Sequence, residues 1–196
     1  MRRSRCALRS WAGVALCATF CGCSTAKPPV SGPSYKPAEV VTFIQAAGRG
    51  DLPAVLSALQ QGMNVNATDA SGMTAVQKAS RCNKSQMVEY LVRNGAYYRL
   101  ADRQGVDALL VASAFGQDDV IRVLAAEKAD MNAVNARGVY PLLLAVDGDY
   151  ASTARLLVQS GARPNLANAD GVSALHYACE KNSKETVPVL LNLGAD

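Results

Sequence analysis

His176 is the only histidine in this chain of 196 residues, so any catalytic arrangement that needs an imidazole base has to use it. The Cys, His, Asp and Glu residues show no spacing typical of a metal site, and no glycine-rich phosphate loop follows a strand. Asp118 and Asp119 open an expected helix, where acidic side chains favour the positive end of its dipole. The sequence therefore predicts no enzyme, no bound metal or cofactor and no small-molecule substrate.

A different chemistry, lipid attachment, is indicated near the N-terminus. Residues 1–22 have a basic head followed by a short apolar run (residues 11–20), which is shorter than the roughly 20 residues that span a bilayer. The run ends in FCGCS (residues 20–24), which resembles a bacterial lipobox with Cys23 as the acylated residue. An ordinary cleaved signal and an uncleaved anchor are the alternatives. With Ser24 after the cysteine, the resemblance implies a lipoprotein of the bacterial outer membrane that faces the periplasm.

Residues 23–36 are rich in Pro, Ser and Gly, which predicts an extended tether. Removal of the signal also changes the charge of the mature protein. Four of the 20 Lys and Arg residues lie in residues 1–22 and none of the 16 Asp and Glu residues does, so bases and acids are then equal in number. A net charge of zero without a basic stripe in the sequence predicts no nucleic-acid partner.

The rest of the chain, residues 37–196, is a tandem array with a period of 33 residues. The period is kept by three columns: Gly72, Gly105, Gly138 and Gly171; Ala46, Ala79, Ala112, Ala145 and Ala178; and Phe43, Val76, Leu109, Leu142 and Leu175. Two further columns predict helix stops with positive φ: Gly50, Asn83, Gly116, Asp149 and Asn182; and Gly62, Gly95, Lys128, Gly161 and Gly194. Each unit is thus predicted as helix, turn, helix and loop. Lys128 replaces a glycine, so the third unit is expected to be the least well held.

Apolar residues at helical spacing also predict which residues of the second helices are core. They are Val55, Val88, Ile121 and Val187, with Leu91, Leu124, Leu157 and Leu190 three positions later. In the last helix, Val189, Leu190 and Leu193 are expected to be partly exposed. Either a partner covers them, or the sequence is a truncated product. Cys82 and Cys179 lie three repeats apart, about 30 Å at ~10 Å per helix layer, too far for a disulfide. Helix packing is expected to explain their surroundings.

The array resembles the ankyrin repeat family. The family pattern is kept in DASGMTAVQKA (residues 69–79), YPLLLA (140–145), SALHYA (173–178) and GMNVNA (62–67), although Asp107 and Tyr140 replace its usual threonine and only Pro141 keeps its proline. The resemblance implies an all-α solenoid of about five repeats, built from helix-turn-helix units with hairpin-like loops. It also implies that His176 forms hydrogen bonds between repeats rather than taking part in catalysis.

Ankyrin proteins bind partners through the loop tips and the exposed side of the first helices. Carried over residue by residue, the resemblance implies partner contacts at Ser71, Met73, Arg81, Arg103, Gln104, Phe115, Arg137, Asp147, Asp170, Glu180 and Lys181. Tyr97, Tyr98 and Arg99 replace the common Asp-Val-Asn of the loop and are added to the candidate binding residues. The alternative is a solvated surface that binds no partner, with these tyrosines packed on the next loop. Phe115 and the arginines fit the composition of binding anchors.

Two functions are compatible with these features. The first is an immunity lipoprotein that binds and neutralises a secreted toxin such as a phospholipase, in the manner of some periplasmic ankyrin proteins. The second is a periplasmic scaffold or protector linked to catalase and oxidative-stress defence. Both are non-enzymatic, and both need a partner protein and membrane attachment through the acyl chains on Cys23. The first is favoured, because a lipid tether would hold a rigid inhibitor at the membrane that the toxin attacks.

Overall fold

The structure is a computed structural model that describes residues 35–196. These residues form ten α-helices and no extended β-strand, so the predicted all-α solenoid is confirmed. The helices are α1 (Pro37–Arg49), α2 (Leu52–Gln60), α3 (Ala75–Arg81), α4 (Ser85–Arg93), α5 (Ala108–Ala114), α6 (Asp118–Ala126), α7 (Pro141–Asp147), α8 (Ala151–Gln159), α9 (Ala174–Lys181) and α10 (Thr186–Asn192). None of these ten has the length and apolar character to cross a membrane. The predicted signal and Cys23 lie outside the described residues.

The helices form five consecutive antiparallel pairs arranged in two layers. In the first layer α1 packs on α3, α3 on α5, α5 on α7 and α7 on α9, while α4, α6, α8 and α10 pack successively in the second. The alanine column lies at the contacts of the first layer, where Ala79, Ala112, Ala145 and Ala178 are completely buried. A larger side chain there would separate neighbouring helices. The sequence column therefore corresponds to the central contact of each repeat with the next.

The large apolar column forms the core beside these alanines. Phe43, Val76, Leu109 and Leu142 are buried, whereas Leu175 is half-buried because α9 packs on only one other first helix, α7. In the last helix Leu190 is core, as its column predicts, and the expectation that it is partly exposed was wrong. Its side chain is completely buried, since α10 packs against both α8 and α9. Val189 and Leu193 are half-buried, as expected.

Both predicted columns of helix stops have positive φ at every position. Lys128 is one of four non-glycine residues with this conformation in residues 35–196, with φ of 60°. A lysine in the left-handed region costs roughly 1 kcal/mol relative to glycine. The backbone of the third unit therefore carries the strain that the sequence predicts.

Asparagine side chains join the loops of successive repeats. Asn66 accepts a hydrogen bond from the Tyr97 N–H at 2.7 Å and donates one to the Gly95 carbonyl at 3.2 Å. Asn132 and Asn165 make the same pair of bonds to the repeats that follow them. Arg99 occupies this column in the second unit, and no equivalent pair reaches the loop at Lys128 within residues 35–196. The absent clamp is a second reason to expect the third unit to be held weakly.

Capping residues set the start of the first helices. Thr74 with Gln77, and Ser173 with His176, form capping boxes in which each side chain bonds to the other residue's backbone N–H. Asp107, in the threonine position, accepts from the Leu110 N–H at 2.9 Å, and burial raises the pKa of its carboxyl group. A half-buried carboxylate can therefore cap the helix in place of the usual threonine, although desolvation opposes its charge.

The role expected for His176 was wrong in one respect. Its hydrogen bonds in the described residues all go to Ser173 of the same repeat, and the side chain is exposed. The bonds between repeats are made three units earlier by Gln77, in the same column. Its Nε2 atom donates to the carbonyls of Leu100 at 3.0 Å and Val106 at 2.6 Å. The loop between α4 and α5 supplies these acceptors, whereas α9 belongs to the last described helix pair.

Candidate functional site

The loop tips are fixed by hydrogen bonds from their own backbone. Asp69 accepts from the N–H groups of Ser71 at 2.8 Å and Met73 at 3.0 Å. Partial burial favours the neutral acid, but hydrogen bonds from Ser71, Met73 and Gly72 together lower the pKa of this carboxyl group. Equivalent bonds are made in the next three loops by Asp102, Asn135 and Asn168. Each tip is therefore a closed turn whose side chains project from an ordered backbone.

The predicted tip residues form one row, here called the tip row: Ser71, Arg103, Gln104, Arg137 and Asp170. All five are exposed. The Arg103 N–H donates to the Ser71 carbonyl at 3.2 Å, which joins the first two tips directly. The Asn135 side chain donates to the Gly105 carbonyl at 3.1 Å and joins the next two. The structure thus brings the tips of successive loops together.

A second row lies at the C-terminal ends of the first helices, here called the helix-end row: Arg81, Phe115, Asp147, Glu180 and Lys181. All of its members are exposed. The Arg81 guanidinium lies over the Phe115 ring, with its Cζ atom 5.1 Å from the ring centroid. Phe115 is 44% exposed, so one ring edge remains available although Arg81 covers part of a face. The cation and the aromatic ring hold one another in place across two repeats.

The other end of this row contains a hydrogen-bonded group. The Tyr177 hydroxyl donates to Asp147 Oδ1 at 2.7 Å, and Lys181 Nζ lies 3.1 Å from the same oxygen. The hydrogen bond from Tyr177, followed by that from Lys181, lowers the pKa of the Asp147 carboxyl group. Lys181 also lies 5.4 Å from the centroid of the Tyr177 ring. Tyr177 was not among the predicted binding residues, and only its contact across two repeats identifies it.

The remaining candidates differ in accessibility. Tyr97 is 53% exposed and Arg99 is exposed, but Tyr98 is half-buried and packs against the core. These three residues precede the tip at Arg103 and lie at the base of the same loop. Met73 is half-buried. Tyr97 and Arg99 can therefore contact a partner, while Tyr98 fits the packing alternative.

Two cysteines lie among the described residues. Cys82 and Cys179 are free thiols, as expected, and both are exposed. Each follows the last inward-facing residues of a first helix and so lies at its exposed C-terminal end. No cluster of three or more His, Cys, Asp or Glu side chains within residues 35–196 has the geometry to hold a metal ion.

These features define a helical repeat protein that presents two rows of exposed side chains on an ordered scaffold. The family model for ankyrin repeats, which describes three copies, matches residues 43–135 and 124–196. The matches cover more than half of the chain, and the protein belongs to the ankyrin repeat family. Ankyrin repeats are modules for protein–protein interaction. No curated protein matches the chain.

Proposed function

We propose that this protein is a non-enzymatic lipoprotein of the bacterial envelope that binds another protein through the tip row and the helix-end row. The observation that carries this proposal is the internal bonding of the loop tips. Because Asp69, Asp102 and their counterparts fix each turn, side chains such as Arg103 and Arg137 project from an ordered backbone. Binding then costs little backbone entropy.

The helix-end row supplies the anchor of this surface. Phe115 is a large exposed aromatic residue, and the cation of Arg81 lies against its ring. Aromatic and arginine side chains are enriched among the residues that dominate binding energy. We infer that Phe115 enters a pocket of the partner and that the arginines of the tip row surround this contact.

The biological role that we infer is neutralisation of a secreted toxin such as a phospholipase. A lipid anchor at Cys23 with the tether of residues 23–36 would hold the binding surface beside the membrane that such a toxin attacks. Tyr35 and Lys36 at the end of this segment already contact the repeats: the Tyr35 hydroxyl donates to the Gln61 carbonyl at 2.9 Å, and Lys36 caps α1. The effective tether would then end before Tyr35.

Lipid attachment is tested by labelling cells with a fatty-acid analogue. We expect the wild-type protein to become labelled and Cys23→Ser to remain unlabelled, because the thiol of Cys23 is the acceptor. Buried acyl chains contribute about 0.8 kcal/mol per CH₂, so the wild type should stay in the membrane fraction. Cys21→Ser is the matched control and should label normally. Equal labelling of wild type and Cys23→Ser would contradict the assignment.

The binding surface is tested with the product of a neighbouring toxin gene. We expect Arg103→Glu with Arg137→Glu to weaken the complex, and Phe115→Ala to cost about 2 kcal/mol, roughly 30-fold in affinity. Arg122→Glu with Arg155→Glu is the matched control, because both arginines are exposed on second helices. Calorimetry measures affinity, and growth with the toxin measures protection.

Three results would argue against this function. Affinity losses confined to Arg122 and Arg155 would place the site on the second helices. Hydrolytic activity of the purified protein would argue against a role in binding alone. A catalase gene beside the gene of this protein, together with a protein that neutralises no toxin, would favour oxidative-stress defence.

A further inference from the structure

Four basic residues lie at or next to the turns of the first two repeats: Arg49, Lys78, Arg81 and Lys84, here called the basic edge. Arg49 ends α1, Lys78 and Arg81 lie one turn apart on α3, and Lys84 precedes α4. Arg49, Arg81 and Lys84 are exposed, and Lys78 is half-buried. Since these residues come from different parts of two repeats, the sequence shows no basic run.

Contacts between the repeats hold these side chains in place. A Cβ atom at Gly48 would lie 2.7 Å from Lys78 Cγ, and one at Gly50 would lie 3.3 Å from Lys84 Cδ. The lysine stems therefore cross the backbone of the first repeat where glycines leave room. Arg81 is held by its contact with Phe115. Packing between the repeats therefore fixes where these basic side chains lie.

The side chains of the basic edge form no salt bridge within residues 35–196. The two salt bridges in this part of the chain join Arg93 to Glu89 and Lys181 to Asp147. Asp51 lies on the first turn, where its carboxylate accepts from the Ala54 N–H at 3.1 Å and caps α2. The basic edge is thus a positive surface on a chain of nearly balanced charge.

A cavity of about 340 Å³ opens within this surface. Arg49 and Lys84 line it together with Leu52 and Met87. Leu52 is 39% exposed, so part of its side chain is available for contact. Two cations and an apolar wall therefore meet in a recess that has room for one or two side chains of a bound peptide.

We propose that the basic edge binds an acidic segment of the protein partner, with a Glu or Asp carboxylate between Arg49 and Lys84 and an apolar side chain against Leu52. The inference rests on the proposed function and names the chemistry of the partner. A recess with an apolar wall favours a peptide over nucleic acid or a membrane surface, because the phosphates of those partners would contact only the projecting charges. The basic edge meets the helix-end row at Arg81, so one partner can contact both.

The test uses the purified full chain in detergent and a fluorescein-labelled short peptide in which Glu and Leu alternate. Fluorescence anisotropy should show saturable binding that weakens as salt is raised. Arg49→Glu with Lys84→Glu should lower the affinity about tenfold or more, and Leu52→Ser should lower it by a smaller factor. Arg122→Glu with Arg155→Glu has the same change of net charge and should stay within about twofold of wild type.

Other probes separate the possible sources of negative charge. A peptide in which Gln replaces Glu should not bind, and phosphatidylglycerol added to the detergent micelles should not displace the acidic peptide. Equal losses for both double variants, displacement by the anionic lipid, or absence of peptide binding would overturn the inference. In each of these cases a partner that still depends on Arg103, Arg137 and Phe115 would leave the proposed function standing. If the chain binds the acidic peptide but no toxin, the proposed function is wrong while the inference about the basic edge stands.

Discussion

Replacing Tyr140 with alanine is expected to destabilise the protein by about 3–5 kcal/mol, the range for removing a large buried aromatic side chain. Tyr140 is completely buried, and its hydroxyl donates to the Leu166 carbonyl at 2.9 Å. It precedes α7 without a side-chain cap, so it has exchanged the capping bond of the family threonine for a contact with the next repeat. The substitution leaves a cavity between two repeats and an unpaired carbonyl.

Two further variants separate packing from hydrogen bonding. Tyr140→Phe keeps the ring and should cost about 1–3 kcal/mol, because only the partner of the Leu166 carbonyl is lost. Tyr97→Ala removes an exposed tyrosine and should change stability by less than about 0.5 kcal/mol. Urea unfolding followed by circular dichroism measures all three. A loss for Tyr140→Ala no larger than that for Tyr97→Ala would contradict the burial of this side chain.

The same residue affects stability in alkali. Burial raises the pKa of Tyr140 to about 12, above its ordinary value of 10.0. The folded state therefore keeps the hydroxyl protonated at pH values where the unfolded chain has begun to ionise. The contribution of Tyr140 should be complete below pH 10.0 and should decline as the pH rises from there towards about 12.

Positions that recur in every unit could be predicted from the sequence. Repetition of the alanine column and of the two columns of helix stops indicates the same local conformation several times, and φ depends mainly on local sterics. Even Lys128 follows its column, because the loop around it needs the left-handed conformation. The helices and their ends could therefore be predicted from the sequence alone.

Positions that depart from the repeat could not be predicted in the same way. Tyr140 contacts Leu166 of the next unit, and the basic edge forms because Lys78 and Lys84 cross Gly48 and Gly50 of the unit before. Such contacts depend on how one repeat is placed on another. For the candidate site, exposure of the tips followed from the family pattern, whereas the burial of Tyr98 and the bond from Tyr177 to Asp147 did not.

Gln77 provides the second large effect, because its single amide joins three backbone groups. Its Oε1 atom accepts from the Thr74 N–H at 2.7 Å, and its Nε2 atom donates to the carbonyls of Leu100 and Val106. Only 2% of the residue is exposed, so water has little access to these groups. Gln77→Ala should cost about 2–4 kcal/mol, since each buried group left unpaired costs about 1–3 kcal/mol and some rehydration follows.

Gln77→Met and Gln104→Ala are the controls for this prediction. Methionine has nearly the same shape but no amide, so a loss close to that of alanine would assign the effect to hydrogen bonds rather than to volume. Gln104 is exposed at a loop tip, and its removal should change stability by less than about 0.5 kcal/mol. Full stability of Gln77→Met would show that packing alone holds this junction.

A histidine at position 77 tests whether the column as a whole performs this role. His176 occupies the same column, and its Nδ1 atom accepts from the Ser173 N–H in its own capping box. In Gln77→His, neutral imidazole can accept from Thr74 with one nitrogen and donate to one loop carbonyl with the other. Most of the stability should then return at pH 8 and be lost as the pH falls below about 6.5, because the protonated ring cannot accept. Urea unfolding at both pH values measures the change, and a pH-independent result would mean that position 77 does not join the second repeat to the third through an acceptor and a donor.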